Sequence, residues 1–472
     1  MPDEPSEPPS DASPEPRRAR PYAALGSRNY RLFGTGFLLS SCGLQMLATA
    51  LGWEIYELTG DPFHLGLAGL ARALPVIVLA LPAGHVIDHL SRRRVLVATQ
   101  VAMGTAVAVL AACSALIDTP TLRVWTIYAM LVVLGAARSF NGPSRASLLP
   151  LIVPPGDFPN AVTWNSGIFQ LSATLGPLLA GVMIARSGEA WPVYASAAAA
   201  CFVFAVLASA LRPTGDGAAV GRFSFTSMTA GVGHVWREKT ILGTLTLDLF
   251  AVLLGGATAL LPVYAKDILQ VDALGLGALR AAPYVGAFVM ALVIAHRPPF
   301  RKAGRALLLS VAGFGVCIIA FGFCGVFPWG VGFLVALAAL GLAGAFDNIS
   351  VVVRHVLVQV RTPNHLRGRV SSVNSVFIES SNELGAFESG LVAKFFGPVV
   401  SVVSGGIGTL AVVAIIAATF PALRRLGKLE LADPAAEASA GTSTDGTPRA
   451  AEEEGELVDA GAGSTSTARP GR

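Results

Sequence analysis

The stretch from Leu134 to Gly181 opens with Leu134-Gly135-Ala136-Ala137-Arg138 and closes with Leu175-Gly176-Pro177-Leu178-Leu179-Ala180-Gly181, and the chain contains it twice. Moved forward by 209 residues, Gly135-Ala136 falls on Gly344-Ala345 (135 + 209 = 344), Arg145 on Arg354 and Pro154 on Pro363. Asn165-Ser166 falls on Asn374-Ser375, Leu175-Gly176 on Leu384-Gly385, and Gly181 on Gly390, without a gap. Roughly a quarter of the positions are identical, where a shared apolar bias would give roughly a tenth. The same offset sets Ala48-Thr49-Ala50-Leu51 on Ala257-Thr258-Ala259-Leu260, and one residue less sets Arg72-Ala73 and Pro75 on Arg280-Ala281 and Pro283. A repeat of this period fixes the architecture before any local motif is read. The chain is a tandem of two related halves.

Composition says in what medium those halves fold. Of the 472 residues, 53% are hydrophobic and only 14% charged, and the mean hydropathy is +0.61. The apolar residues fall in blocks of about 20, the length that crosses a hydrocarbon core of roughly 30 Å. Unbroken blocks argue against the alternation of a membrane barrel, so the spans are helices, which satisfy their own backbone in lipid. The expected fold is an all-α membrane protein with twelve transmembrane helices in two pseudo-symmetric six-helix bundles. The spans read at about 32–55, 64–85, 95–117, 123–146, 161–185 and 191–211, then about 241–264, 273–295, 306–327, 330–358, 371–395 and 399–420. The five cysteines, Cys42, Cys113, Cys201, Cys317 and Cys324, lie inside apolar blocks without metal-ligand spacing or a disulfide pattern, and read as inert thiols. No metal and no cofactor is implied. The net charge of +4 needs no nucleic acid, because the basic residues cluster between spans.

The organisation that follows is a disordered cytoplasmic tail over 1–27, an N-terminal bundle over 28–211, a linker over 212–239, a C-terminal bundle over 240–425 and a second disordered tail over 426–472. Within the linker, Phe223 to Trp236 reads either as an amphipathic interfacial helix or as flexible chain. Arginine and lysine collect on one set of loops, led by Arg92-Arg93-Arg94 and by Arg297, Arg301, Lys302 and Arg305. The positive-inside rule then places both termini in the cytoplasm of a multi-pass protein of the cell membrane.

Three motifs lie in the first half. Between spans two and three, Gly84-His85-Val86-Ile87-Asp88-His89-Leu90-Ser91-Arg92-Arg93 resembles the G-x-x-x-D-[RK]-x-G-R-[RK] signature of the major facilitator superfamily, with His89 and Ser91 as departures. In span four, Leu134 to Arg138 with Asn141-Gly142 is similar to that family's L-x-x-x-R-x-x-Q-G, with Asn141 for Gln. In span five, Gly176-Pro177-Leu178-Leu179-Ala180-Gly181 is similar to its G-P-x-x-G-G, with Ala180 for Gly. Within the family the chain resembles the bacterial drug:proton antiporter group that includes macrolide and enterobactin exporters, through Gly52-Trp53, Tyr56-Glu57-Leu58-Thr59-Gly60 and the run from Asn141-Gly142-Pro143 to Leu149-Pro150.

The resemblance implies a secondary transporter working by alternating access, and it implies roles. Gly84, Asp88, Arg92 and Arg93 would form a latch between the halves, against the plainer reading that Arg92 to Arg94 only set topology. Gly176, Pro177 and Gly181 would form a helix-packing hinge, or an ordinary small-residue face. Spans one, four, seven and ten would line a central cavity, and they carry Arg138, Asp248 and Asp347. An arginine costs about 2.5–3.5 kcal/mol at the centre of a span, so Arg138 should face a cavity or partner unless it snorkels to the surface. Asp347 is its repeat mate (138 + 209 = 347), and pairing between them, with Asp248 or Asp347 carrying a proton, is the expected coupling device. Asp347 also reads as a helix-end residue, and Asp248 as one near the membrane surface. Span eleven carries Glu379, Glu383 and Glu388. In this fold it abuts span two, so a bridge from one of them to Arg72 should cross between the halves. Arg354 is expected to snorkel.

The expected function is proton-coupled export of small amphipathic compounds, with a small molecule, protons and the lipid bilayer as partners and a monomer as the working form. An importer or uncoupled facilitator is the alternative. The chain lacks H-E-x-x-H, G-x-S-x-G and a nucleotide-cradling P-loop, which speaks against an embedded enzyme.

Overall fold

The computed structural model describes residues 21–214, 233, 235–298, 300–363 and 366–427, and the backbone alone at 80, 81, 84, 85, 88, 329, 367–369, 371–373, 375, 376 and 379. The described residues are helical, with no strand. Twelve long helices follow one another: α1 (Arg28–Thr59), α2 (Pro62–His89), α3 (Arg92–Leu116), α4 (Pro120–Ile152), α5 (Phe158–Ser187), α6 (Trp191–Ser209), α7 (Lys239–Leu254), α8 (Ala273–Ala295), α9 (Ala303–Gly322), α10 (Trp329–Arg361), α11 (Arg367–Phe396) and α12 (Pro398–Thr419). Eleven segments are long and apolar enough to cross a membrane. The segment left out is α11, whose glutamates and terminal basic residues lower its hydropathy.

Local chemistry sets the boundaries. Gly60 leaves α1 with a φ of 61°, in the left-handed region that glycine enters without cost. The Asp61 carboxylate then accepts from the Phe63 N–H at 2.9 Å and starts α2 one residue later. Asp272 caps α8 in the same way, through the Gly275 N–H at 3.0 Å. Helices α4 and α10 run longer at their C-terminal ends than the apolar blocks suggest, to Ile152 and Arg361. The seventh span departs most. A continuous helix to about residue 264 was expected, but α7 stops at Leu254, and the chain continues through short turns (Ala257–Leu260, Leu261–Val263) and a π-helical turn, Tyr264–Ile268. Gly255-Gly256 sits at the break, where Gly256 is pressed against the Gly385 carbonyl of α11.

The repeat in the sequence is a repeat in space. In the first half α1 packs on α5 and α6, α2 on α4, α3 on α4 and α6; in the second, α7 packs on α11 and α12, α8 on α10, α9 on α10 and α12. The contacts between the halves follow the same symmetry, α2 on α11 and α5 on α8. These seams are lined by repeated glycines. An added Cβ at Gly277 of α8 would lie 2.5 Å from the Pro177 carbonyl oxygen, and one at Gly390 of α11 would lie 2.8 Å from Cα of Gly66 on α2.

Of the two tails read at 1–27 and 426–472, all but 21–27 and 426–427 lie outside the described residues. Residues 21–27, assigned to the tail, fold onto α5: the Pro21 carbonyl accepts from Asn160 and from the Trp164 indole, and Tyr22 packs on the Trp164 ring. Most of the linker stretch Phe223 to Trp236 lies outside the described residues. At its end Val235 is buried against Ile241, Leu245, Val358 and Val370.

The glycine seam gives a direct test. Gly277→Ala forces methyl against backbone and should cost about 1–3 kcal/mol, the usual range for overpacking. Gly142→Ala, where nothing lies within 4 Å, should leave stability unchanged or slightly higher through helix propensity. Apparent melting temperatures of the two purified variants, side by side, check this.

Candidate functional site

An even number of spans returns the chain to the face where α1 began. At this chain-end face the Asn29 amide donates to the Arg212 carbonyl at 2.8 Å, joining the start of α1 to the end of α6. The two faces are built differently. Toward the opposite, far face, one continuous apolar core takes Leu51 and Ile55 of α1 together with Leu261, Val263 and Tyr264 of the second half. Toward the chain-end face each half keeps its own core. Tyr30, Phe33 and Phe204 cluster in the first, and Leu247, Leu307 and Val353 in the second. Among the described residues the halves therefore share one core at the far face and keep separate cores at the chain-end face, which leaves room for a cavity on that side.

Arg138 lies on α4 and Asp347 on α10, and both side chains are exposed. They make no ion pair with each other in this state; Arg138 interacts elsewhere. Asp248 does not belong with them. It is buried between α7 and α10 and paired with Arg354, which is 3% exposed and does not snorkel. Removing Asp248 from solvent requires a counter-charge, and Arg354, two turns along α10 from Asp347, supplies it. By the offset Arg354 is the mate of Arg145, whose guanidinium instead lies over the Phe37 ring of α1 at 4.1 Å.

The roof of the cavity lies where α2 meets α11. Arg72 donates through Nε and Nη2 to the two oxygens of Glu383 at 2.8 and 2.7 Å, a bidentate bridge between the halves. Close backbone approach lets it form, since a Cβ at Gly69 would lie 3.3 Å from the Glu383 carbonyl. Glu388 instead accepts from the neighbouring Ser389 hydroxyl at 3.4 Å, and the Glu379 side chain lies outside the described residues. On the symmetry-related seam Gln170 donates to the Tyr284 carbonyl at 2.6 Å. The hinge residues divide between two tasks. Gly176 admits α1, where an added methyl group would lie 2.6 Å from Gln45 Cβ, while Pro177 and Gly181 face α8.

Above the roof, the far face is closed by charges that also cross between halves. Lys266 pairs with Glu57 at 3.5 Å and lies over the Trp53 ring at 4.3 Å. Lys394 pairs with Asp61 at 3.4 Å and lies over Phe63 at 4.4 Å. The Tyr56 hydroxyl donates to Asp267. Sequence reasoning missed this set, although the repeat held the signal: Glu57 and Lys266 are mates of opposite charge (57 + 209 = 266), like Arg138 and Asp347. It also missed Glu54, a carboxylate 4% exposed. Glu54 accepts from Ser114 at 2.8 Å, Arg123 at 2.7 Å and Tyr194 at 2.5 Å, tying α1 to α3, α4 and α6 inside the first bundle.

At the chain-end face, Arg93 donates to the carbonyls of Ser209 and Leu211 at 3.4 and 2.9 Å, capping α6 within its own half. Arg92 Nε is buried without a partner among the described residues. Gly84 and Asp88 lie in the last turns of α2, with side chains outside the described residues. No group of His, Cys, Asp or Glu able to hold a metal ion occurs among the described residues.

Comparison with known proteins agrees with this architecture. The chain is 24% identical over 403 residues to the multidrug efflux pump Tap of Mycolicibacterium fortuitum, covering 82% of this chain and 95% of that one. It is 23% identical over 388 residues to the enterobactin exporter EntS of Shigella boydii serotype 18, covering 82% and 90%. Among solved structures, a bacterial homologue of the iron transporter ferroportin in an inward-facing state superposes with a TM-score of 0.65 at 15% identity, covering 84% of this chain and 99% of that one. A D-xylose-proton symporter superposes with a TM-score of 0.63 at 14% identity, covering 82% and 95%. The profile of the Major Facilitator Superfamily matches residues 33–386. With two six-helix bundles related by the repeat, and with that match over most of its length, the chain belongs to the Major Facilitator Superfamily of membrane transporters.

Proposed function

We propose that this transporter is a proton-coupled exporter of small amphipathic compounds in the cell membrane, working as a monomer by alternating access with both termini in the cytoplasm. The observation that carries the reading is the one-sided closure. A shared core and three cross-half polar contacts seal the far face, while at the chain-end face the described residues of each half keep to their own core. Basic loops place the chain-end face in the cytoplasm, so the cavity is in its loading position for export. The similarity to an efflux pump and a siderophore exporter supports outward movement. A latch at Gly84, Asp88, Arg92 and Arg93 would engage when the halves meet on the cytoplasmic side.

Coupling to protons is assigned to Asp347, which the cavity exposes to solvent, with Arg138 setting its affinity as the halves rock. A carboxylate without a fixed counter-charge can take up and release a proton as its surroundings change. Asp248 is a second candidate only if its bridge to Arg354 opens in another state. In proteoliposomes with pyranine inside, adding ethidium or a catecholate siderophore should move protons in the direction opposite to the compound. Asp347→Asn should lower proton-driven efflux at least about tenfold, in the range set by loss of an acid–base group, while leaving counterflow of the compound. Full coupling in Asp347→Asn assigns the proton elsewhere, and compound movement without protons makes the protein a facilitator.

Asp248→Asn separates structure from coupling. It strands the buried Arg354, which typically costs about 3–5 kcal/mol, and apparent stability should fall accordingly. Asp248→Asn combined with Arg354→Gln should recover most of that loss.

The far-face contacts are the outer gate in this reading. Exposed pairs of this kind are worth about 0.2–1 kcal/mol. Lys266→Glu should therefore raise labelling of a cysteine at Val263, 1% exposed when closed, about two- to five-fold with a membrane-impermeant maleimide. Reversing both charges, Glu57→Lys with Lys266→Glu, should bring the rate back.

A further inference from the structure

One intramembrane charge is used by none of these devices. Arg280 lies on α8, two turns below its N-terminal end, and is the repeat mate of Arg72 (72 + 208 = 280). Its surroundings are unlike those of its mate. It is half-buried, within electrostatic reach of the Tyr284 phenol, Arg72 and Glu383. Glu383 is already held by two nitrogens of Arg72. Arg280 makes no hydrogen bond or ion pair among the described residues, while its side chain stays partly accessible. Its guanidinium donors are thus left to water or to a ligand.

A guanidinium held at this depth without a partner is costly, by about 2.5–3.5 kcal/mol on insertion scales, and a second arginine nearby makes it costlier. The arrangement is offset when an anion enters, because a planar fork of donors matches a carboxylate, sulfonate or phosphate in two-point contact. On the helix face that carries Arg280, Ala287 and Ala291 lie two and three turns further along α8, apolar and partly exposed. A cationic head beside a greasy wall fits a ligand that is anionic at one end and apolar at the other.

We propose that Arg280, backed by Arg72, is the docking point for the anionic group of the cargo, so that the transported compound is an amphipathic anion. This rests on the transporter reading above and narrows its substrate class. It also gives the Arg72–Glu383 bridge a second task. An anion on Arg280 competes with Glu383 for the positive charge at the roof, and cargo arrival loosens a contact that holds the halves together.

The test uses the full chain in phosphatidylcholine nanodiscs and three matched probes, 11-(dansylamino)undecanoate, its methyl ester and a dansyl alkylamine of equal length. The carboxylate should bind about tenfold or more tighter than the ester, and the amine no tighter than the ester. Arg280→Gln should bring the carboxylate down to the level of the ester and leave the ester unchanged; Arg280→Lys, which keeps the charge and lacks the fork, should retain part of the preference. Equal binding of carboxylate and ester to the unmodified protein overturns the proposal. So does a parallel loss of both probes in Arg280→Gln with normal binding of both in Arg280→Lys, which would make the residue structural. Phosphatidylglycerol added to the nanodiscs should not displace the carboxylate; displacement would make the site a lipid headgroup site. Transport in proteoliposomes separates the two readings. Movement of the amine or ester without preference for the carboxylate leaves the transporter standing and sinks the anion site. An Arg280-dependent carboxylate preference without movement of any probe does the reverse.

Discussion

Two helix seams, α2 on α11 and α5 on α8, hold the halves of this protein together, and everything else in the structure is arranged around them. In a bilayer, apolar side chains gain little by leaving lipid for protein, so association relies on close packing and on polar contacts across the interface. The seams use both. Glycines let backbones approach until a methyl group would collide with a carbonyl oxygen, and beside one of them Arg72 grips Glu383 with two hydrogen bonds.

The charges divide by what surrounds them. Glu54 with Arg123, Ser114 and Tyr194, and Asp248 with Arg354, are buried within single bundles. Buried and paired, such groups specify how helices pack in one bundle and have little reason to move. Charges between the bundles are more exposed: the Lys394–Asp61 side chains are 41% and 32% accessible, against 4% and 10% for Arg354–Asp248. In the proposed transport cycle these are the contacts that break, and weak contacts break at little cost.

The fold was legible because it rests on span length and on the repeat, and both survive in the residues. The bridge partner of Arg72 was legible for the same reason, since three glutamates on one span leave few places for an arginine on its neighbour to go. What was not legible shares a cause. Span helices that are apolar on nearly every side give no periodic sign of which face turns inward, so the sequence could place Asp248 on a cavity-lining span without showing that it turns toward α10. Arg354 looked like a snorkelling residue because its distance from the helix end permits that, and only the position of Asp248 excludes it. The break at Gly255-Gly256 was hidden by apolar residues on both sides, which continue the hydropathy while the backbone stops being an α-helix.

The ion pair between Glu57 and Lys266 carries information about history. Two identical chains related by a twofold axis present the same residue to each other wherever a position meets its own copy. Such a dimer would have set glutamate against glutamate, or lysine against lysine, at this point. Opposite charges on repeat mates require the two copies to have been separately encoded and free to diverge. Arg72 and Arg280 keep the like charges that two identical copies would share. The far-face pair therefore depends on the halves no longer being identical.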